Sequence, residues 1–335
     1  MKDIFRDKKV LFITTKNIDY IRNSQEIDII KSNAKSYDVI GSTKKGYLQR
    51  LLEVYLSILF TSFKKYDVIF IGFAPQLIIP FWRWKLRKSI VVIDFFISMY
   101  DTLIFDRKKF NEDSYIAKIL YNLDKKTINY ADKVICDTKA HGEFFCEEFG
   151  LEKDKLIVLY LNADKSIYYN RDINKPKELE DKYIVLYFGS ILPLPGVEIV
   201  LESINLLKDN DKIHFYIIGP IDKNYCKPET GNVTYFSWLS QEELAKYISY
   251  SDLCLAGHFN SEIMKAKRTI PGKAYIYRAM NKPMILGDNL ATHELYNEGD
   301  EGVYFVKMGD AKALAEKITQ IWRNSNEINN TNTLL

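Results

Sequence analysis

The chain has 335 residues, 47% hydrophobic and 27% charged, a composition typical of globular proteins and a length that favours two domains over one. Its 47 basic and 44 acidic side chains leave a net charge of only +3. That balance excludes a general case for nucleic-acid binding, and any anion site must rest on a local patch.

Short apolar runs alternate with helical stretches along the chain. Strands are predicted at Val10–Thr15, Tyr37–Gly41, Val68–Gly72, Ile90–Asp94, Lys133–Cys136 and Leu156–Leu161. Several are unbroken Val/Ile/Phe runs, as expected of parallel strands covered on both faces. Helices are predicted near 24–35, 47–63, 76–86, 113–130 and 139–149. The polar stretch 165–182 reads as a linker between domains at 1–164 and 183–323. The alternation then restarts with strands at Tyr183–Gly189, His214–Gly219, Val233–Phe236, Leu253–Ala256, Pro283–Gly287 and Gly302–Val306. Helices fit near 196–208, 240–249, 273–280, 290–297 and 310–323, with Ser240 and Glu243 as a capping box. The Asn-rich end, 324–335, is expected to be a frayed polar tail. Two successive βα series predict an α/β fold of two Rossmann-like domains facing across a cleft, with ligands at the C-terminal strand edges.

Cys136, Cys146, Cys226 and Cys254 form neither a C-x-x-C pair nor a zinc spacing with histidine, so thiols in a reducing compartment are expected. The first residues lack an apolar signal core, and no run of about 18 apolar residues occurs. A cytoplasmic location is therefore expected.

Residues 268–283 are the most informative stretch. Arg268 and Lys273 flank a Pro271-Gly272 turn into a helix that breaks at Asn281, ahead of a strand opening at Pro283. Free N–H groups and the helix dipole at such an N-terminus suit a phosphate. A solvated basic loop before an ordinary amphipathic helix accounts for the same residues equally well. At another strand end, Gly189 lets a ligand approach the backbone and Ser190 can donate a hydrogen bond; a turn shaped by Pro193 and Pro195 is the alternative. Asp94 and Asp101 lie at and just after a strand end, where they would line the acceptor side of the cleft. The structural alternative is that one caps a helix and the other pairs with Arg107. His214 lies within a strand and reads as structural, His141 sits in a first helical turn where its neighbours Asp137 and Thr138 suit a cap, His258 follows a strand end and has a better claim on a ligand, and His293 opens a helix beside Glu294. No Ser-His-Asp set or three-ligand metal spacing is present.

Two segments are candidates for peripheral membrane contact. Residues 47–60 are mostly apolar with one polar stripe, Gln49, Glu53 and Ser57, and read first as a core helix. Residues 80–88 interleave aromatics with basic groups, a mixture suited to an anionic bilayer surface.

Over nearly its whole length the chain resembles the GT-B glycosyltransferases, specifically the retaining, family-four type. The likeness rests on Tyr187-Phe-Gly-Ser-Ile with Pro195-Gly-Val-Glu198, Tyr216-Ile-Ile-Gly219, Ser251-Asp-Leu-Cys-Leu-Ala256, Ile270-Pro-Gly-Lys273, Ala279-Met-Asn-Lys-Pro283, Glu294-Leu295 and Gly309-Asp-Ala-Lys-Ala-Leu-Ala315. In the first half, the segments Asp94–Thr102 and Ala131–Thr138 look like a bacterial branch of the group. The resemblance implies transfer of a sugar from a nucleotide-sugar donor to a glycan or lipid-linked glycan, in cell-surface polysaccharide synthesis, with no metal or other cofactor. It implies a donor held by Gly189, Ser190, Gly219, His258, Arg268, Lys273 and Glu294, with Arg268 and Lys273 neutralising the diphosphate and Asp94 and Asp101 on the acceptor side. The chain also departs from the pattern. The basic pair of the loop after the first strand of the second domain reads Ser190 and Leu194 or Pro195, and the second carboxylate of the Glu-x7-Glu motif falls at Ile276, with Glu262 out of register. Two rivals stay open: a catalytically inactive GT-B-like partner subunit, and a sugar-nucleotide epimerase drawing on His258 and Glu262.

Overall fold

The computed structural model describes residues 1–189 and 192–333, the side chains of the last helix through residue 327. The chain divides into two compact units, Met1–Asn162 and Ala163–Leu335. The polar stretch 165–182 belongs to the second unit and contains one 3-10 turn, Lys177–Leu179.

The first unit runs α1 (Lys2–Phe5), β1 (Lys9–Asn17), α2 (Ile21–Asn33), β2 (Ser36–Ser42), α3 (Tyr47–Phe60), β3 (Val68–Phe73), α4 (Ile79–Leu86), β4 (Ile90–Asp94), α5 (Tyr115–Tyr130), β5 (Lys133–Cys136), α6 (Lys139–Phe149) and β6 (Leu156–Val158). Its six strands form one parallel sheet in the order β2-β1-β3-β4-β5-β6. The continuous apolar runs follow from burial on both faces. Leu11, Ile13, Ile69 and Ile71 enter one core layer, while their neighbours Val10, Phe12, Val68 and Phe70 enter the other.

The second unit runs β7 (Tyr183–Phe188), α7 (Val197–Leu206), β8 (Ile213–Ile218), β9 (Val233–Phe236), α8 (Gln241–Tyr250), β10 (Leu253–Gly257), α9 (Met264–Arg268), α10 (Gly272–Ala279), β11 (Met284–Gly287), β12 (Val303–Val306) and α11 (Ala311–Thr333). Its parallel sheet has the order β12-β11-β10-β7-β8-β9. Ser240 and Glu243 close the capping box that starts α8. Both units are thus Rossmann-like, and all twelve predicted strands are present.

Helices depart from expectation in instructive places. Arg268 closes a short helix, α9, instead of lying in a loop. Asp101–Asp106 forms a π-helical turn. Helix α11 continues through Thr333 instead of fraying at Asn324, because extending a helix already nucleated by apolar packing requires little further stabilisation per residue. Helix α3 is the main correction. It buries only Arg50, Val54 and Ile58. Leu48, Leu52, Leu56, Leu59 and Phe60, spaced along one face, are 48–84% exposed, so this is not a core helix. The Glu53 carboxylate in the polar stripe is engaged by Ser42, whose hydroxyl donates to it at 2.6 Å. Among the described residues no helix is long and apolar enough to cross a membrane.

Candidate active site

The second sheet changes direction between β10 and β7, the place where open α/β sheets bind ligands outside their strand C-termini. Four of its strands end at or beside a glycine: Gly189 after β7, Gly219 after β8, Gly257 in β10 and Gly287 in β11. At two of these the backbone approach excludes any side chain. A Cβ on Gly219, which has φ +120°, would overlap the Gly189 carbonyl oxygen, and one on Gly287 would overlap that of His258. The Gly189 N–H donates to Ile218 O at 2.9 Å, and the Gly219 N–H to Phe236 O at 2.8 Å. The loops after β7 and β10 also meet backbone to backbone, with the Phe259 N–H donating to Pro195 O at 3.1 Å.

Lys273 lies in the first turn of α10, whose N-cap is Pro271. It is only 7% exposed. Its Nζ sits 3.7 Å from the centroid of the Tyr187 ring and 5.9 Å from that of Phe188. Among the described residues Nζ has no hydrogen-bond partner, and no carboxylate pairs with it. A desolvated cation–π contact contributes about 2 kcal/mol. Burying an ammonium costs several kcal/mol even after relaxation. Desolvation therefore wins, and burial pushes the Lys273 pKa well below its ordinary 10.5. Beneath it Tyr187 is buried too, and its hydroxyl likewise lacks a partner. Two buried donors without acceptors, at the switch point, call for a ligand rich in oxygen. Sequence reading singled out Lys273 but missed Tyr187, whose only signal was an aromatic with a polar tip two residues before Gly189.

The other expected donor residues lie on the same edge. His258 directly follows β10, is 6% exposed, and its Nε2 hydrogen-bonds Thr269 Oγ1 at 3.3 Å. Thr269 Oγ1 in turn donates to Lys265 O at 3.0 Å, tying the α9–α10 connection to the end of β10. Arg268 is half-buried just before it. Glu294 closes a 3-10 turn, Thr292–Glu294, after β11. That loop is clamped: Thr292 Oγ1 donates to Gly287 O at 3.0 Å, and the Thr292 N–H to Asn289 Oδ1 at 3.0 Å. Ser190 lies outside the described residues. Ile276 stands half-buried in α10 and brings no carboxylate. A separate cavity of about 600 Å³ opens at the opposite edge of this sheet, among Tyr183, Asp252 and Tyr304, but there Lys175 and Asp252 already pair at 2.6 Å.

In the first unit, Asp94 and Asp101 are both buried. Asp94 ends β4 but is 1% exposed, with both oxygens held by Arg22: Nε to Oδ2 at 2.7 Å and Nη2 to Oδ1 at 3.0 Å. Arg22 also donates to Leu159 O and lies 3.7 Å from Glu26. Two carboxylates share one guanidinium, and Glu26, fully buried and beside Asp94, has its pKa driven well above the carboxylate range. Asp94 is thus a buried strut linking β4 to α2, not an open acceptor ligand. Asp101 is 2% exposed inside the π-helical turn, its N–H donating to Ser98 Oγ. The segment is anchored from α5 by Asp124, which accepts from Ser98 Oγ at 2.7 Å, Tyr100 N at 2.8 Å and Gln76 Nε2 at 2.8 Å. His214 bonds Thr234 within the sheet, and His141 pairs with Asp137 through Nδ1.

Residues 182–324 match the family described as "Glycosyl transferases group 1". A curated relative, an uncharacterized 41.2 kDa protein in the cps region of Klebsiella pneumoniae, is 24% identical over 257 residues, covering 71% of this chain and 69% of that protein. Among solved structures, Anabaena HepE in complex with UDP and glucose superposes with a TM-score of 0.61 at 14% identity, covering 95% of this chain and 91% of that one. Sucrose-phosphate synthase from Thermosynechococcus elongatus gives 0.63 at 14% identity, covering 94% and 90%. The fold is that of the GT-B glycosyltransferases.

The Lys273 geometry predicts a pH dependence. Between the depressed folded pKa and 10.5 the unfolded chain holds the lysine proton and the folded chain does not. Stability therefore rises with pH across that window and falls as pH drops to the folded value. Lys273→Met should remove this slope and stabilise the ligand-free second unit at pH 7 by roughly 1–4 kcal/mol. Denaturant titrations of both proteins across the window check it; a destabilised Lys273→Met at pH 7 would mean the ammonium is compensated in the fold.

Proposed function

We propose that this protein, a glycosyltransferase by its group 1 domain, moves a sugar from a nucleoside-diphosphate donor to a glycan or lipid-linked glycan, with retention of anomeric configuration, in the synthesis of a cell-surface polysaccharide. The observation that carries the reading is the buried Lys273 amine, unpartnered among the described residues, at the switch point of the second sheet. A donor diphosphate supplies the acceptor oxygens that this amine and the first-turn N–H groups of α10 lack. Arg268, five residues earlier, adds a second cation. As the bond between the anomeric carbon and the diphosphate breaks, negative charge grows on the leaving phosphate. Fixed cations in a dry site stabilise that charge without reorganising. In the retaining, same-face reaction the leaving phosphate accepts the proton of the acceptor hydroxyl as its oxygen bonds the anomeric carbon. This route uses no carboxylate base, which suits the locked state of Asp94. Charge neutralisation is assigned to side chains and not to a metal. The cps-region relative and the UDP-bound Anabaena protein support the polysaccharide and nucleotide parts of the reading.

Ile276 removes a carboxylate from α10, so ribose binding falls to other groups on the edge, with His258 and Glu294 in place. The same residue favours the rival of an inactive partner subunit, and turnover separates the two. In a thermal-shift screen of UDP, GDP, ADP and their sugars, one nucleotide series should stabilise the protein, by about 2.7 kcal/mol at a hundred times Kd. Arg268→Ala combined with Lys273→Ala should abolish both that shift and sugar transfer. Unchanged binding and turnover in the double variant would sink the assignment; binding without any transfer or donor hydrolysis would favour the inactive subunit.

The acceptor reading includes a membrane. The exposed leucines of α3 continue onto α4, where Tyr55 meets Phe81 at 6.1 Å between ring centroids and Phe81 and Trp84 are about 60% exposed. Lys85 binds the C-terminal carbonyls of α3, donating to Ile58 O and Leu59 O at 2.6 Å, which fixes the two helices together. Lys64, Arg87 and Lys88 flank this face. An apolar face with a basic rim fits peripheral docking on anionic lipid, at about 1 kcal/mol per basic residue near the surface. In co-sedimentation with phosphatidylglycerol vesicles, Leu52→Ser with Leu56→Ser and Phe60→Ser should cut binding about tenfold or more. Equal binding by the triple variant would remove α3 from the membrane surface.

A further inference from the structure

The first turn of α7 carries a carboxylate with no part in neutralising a diphosphate. Glu198 is the second residue of that helix, after the Gly196 N-cap. An acid in this position ordinarily faces solvent and meets the helix dipole. Glu198 is placed differently. Its Oε1 accepts from Asn260 Nδ2 at 2.9 Å, and its Oε2 is buried with no hydrogen-bond partner among the described residues. Asn260 is itself fixed, because its Oδ1 accepts from the Glu262 and Ile263 N–H groups, both at 2.9 Å. The carboxylate is therefore held from the loop after β10, with one oxygen left open.

A second open group lies near it. The Tyr187 hydroxyl is buried, lacks a partner among the described residues, and lies against Gly189, where a Cβ would stand 2.9 Å from it. Burial raises the pKa of that hydroxyl, and the charge of Glu198 raises it further, so it keeps its proton and can donate as well as accept. Tyr187 thus has two working ends. Its ring carries Lys273 Nζ at 3.7 Å, and its hydroxyl lies within the field of Glu198. Among the described residues the lysine and the carboxylate do not pair, so neither cancels the other.

We infer that Glu198 Oε2 and the Tyr187 hydroxyl bind a pair of vicinal hydroxyls on the nucleotide sugar, on its ribose or on its hexose, in a chain whose α10 offers Ile276 and no carboxylate. The inference rests on the donor reading and adds to it the groups that select a polyol. A buried carboxylate oxygen needs a hydrogen-bond donor, and leaving it unmet costs more than leaving a neutral group unmet. An ionised phosphate brings only acceptors, so it cannot meet Oε2; a sugar hydroxyl can. A nucleotide sugar sets its anionic diphosphate between two polyol rings. The site repeats that order, with a cation on the face of Tyr187 and a carboxylate near its hydroxyl end. One O–H of a vicinal diol donates to Oε2, and the neighbouring oxygen exchanges a hydrogen bond with the phenol.

Calorimetry on the full chain with UDP, GDP, their 2′,3′-dideoxy forms, UDP-glucose and GDP-mannose tests this. Glu198→Gln keeps an acceptor for Asn260 and turns the open acceptor into a donor. Tyr187→Phe keeps the ring under Lys273 and removes the hydroxyl. Each should weaken binding of the diol-bearing ligand at least tenfold, ~1.4 kcal/mol. With ribose as the source, the loss appears with the nucleoside diphosphate and is absent with its dideoxy form. With the hexose as the source, the nucleoside diphosphate binds both variants as it binds the parent, and only the nucleotide sugar is weakened. Charge alone predicts the opposite sign for Glu198→Gln, because removing an anion near a diphosphate tightens binding. Equal or tighter binding of every ligand by Glu198→Gln, or one loss shared by the nucleoside diphosphates and their dideoxy forms, would overturn the inference. A parent protein that binds none of these ligands removes the donor site and this subsite with it; a parent that binds, with unchanged variants, removes only the subsite.

Discussion

A lysine amine buried against an aromatic ring, with no anion or carbonyl to meet it among the described residues, is costly to charge, and the second unit holds one at the C-terminal edge of its sheet. The cost is repaid only when an anion arrives. On the proposed reading that single imbalance organises the rest: Tyr187 is the seat, the α10 N-terminus is the second source of positive potential, and Arg268 completes the charge.

The glycines make the seat reachable. Had Gly219 or Gly287 carried a methyl group, it would have collided with the carbonyl of Gly189 or His258, and the strand ends that frame Lys273 would have been pushed apart. Backbone contacts between the loops after β7 and β10, and the Asn289–Thr292 clamp after β11, hold those ends in place before any ligand binds. A preorganised edge of this kind places the reorganisation cost in folding instead of in the reaction. In the first unit the Arg22–Asp94 strut and the Asp124 anchor do comparable work for the segment after β4.

The strands were legible because doubly covered strands write themselves as Val/Ile/Phe runs, and Lys273 was legible because proline and glycine announce the helix it opens. What stayed hidden was pairing over long separations. Arg22 and Asp94 are 72 residues apart, and no local pattern shows that the carboxylate at the end of β4 is already engaged. The Lys273–Tyr187 contact crosses from α10 to β7 and is hidden for the same reason. Helix α3 misled in another way: a helix apolar on nearly every face reads as core, and only packing reveals which face is left outside.

The central claim is that a donor diphosphate supplies the missing counter-charge of Lys273. Calorimetry of UDP binding in a pH series below 10.5, in buffers of different ionisation enthalpy, measures the proton that this requires. The account predicts proton uptake on binding within that range, which vanishes in Lys273→Met together with most of the affinity. UDP binding with no buffer dependence, or undiminished in Lys273→Met, would contradict it.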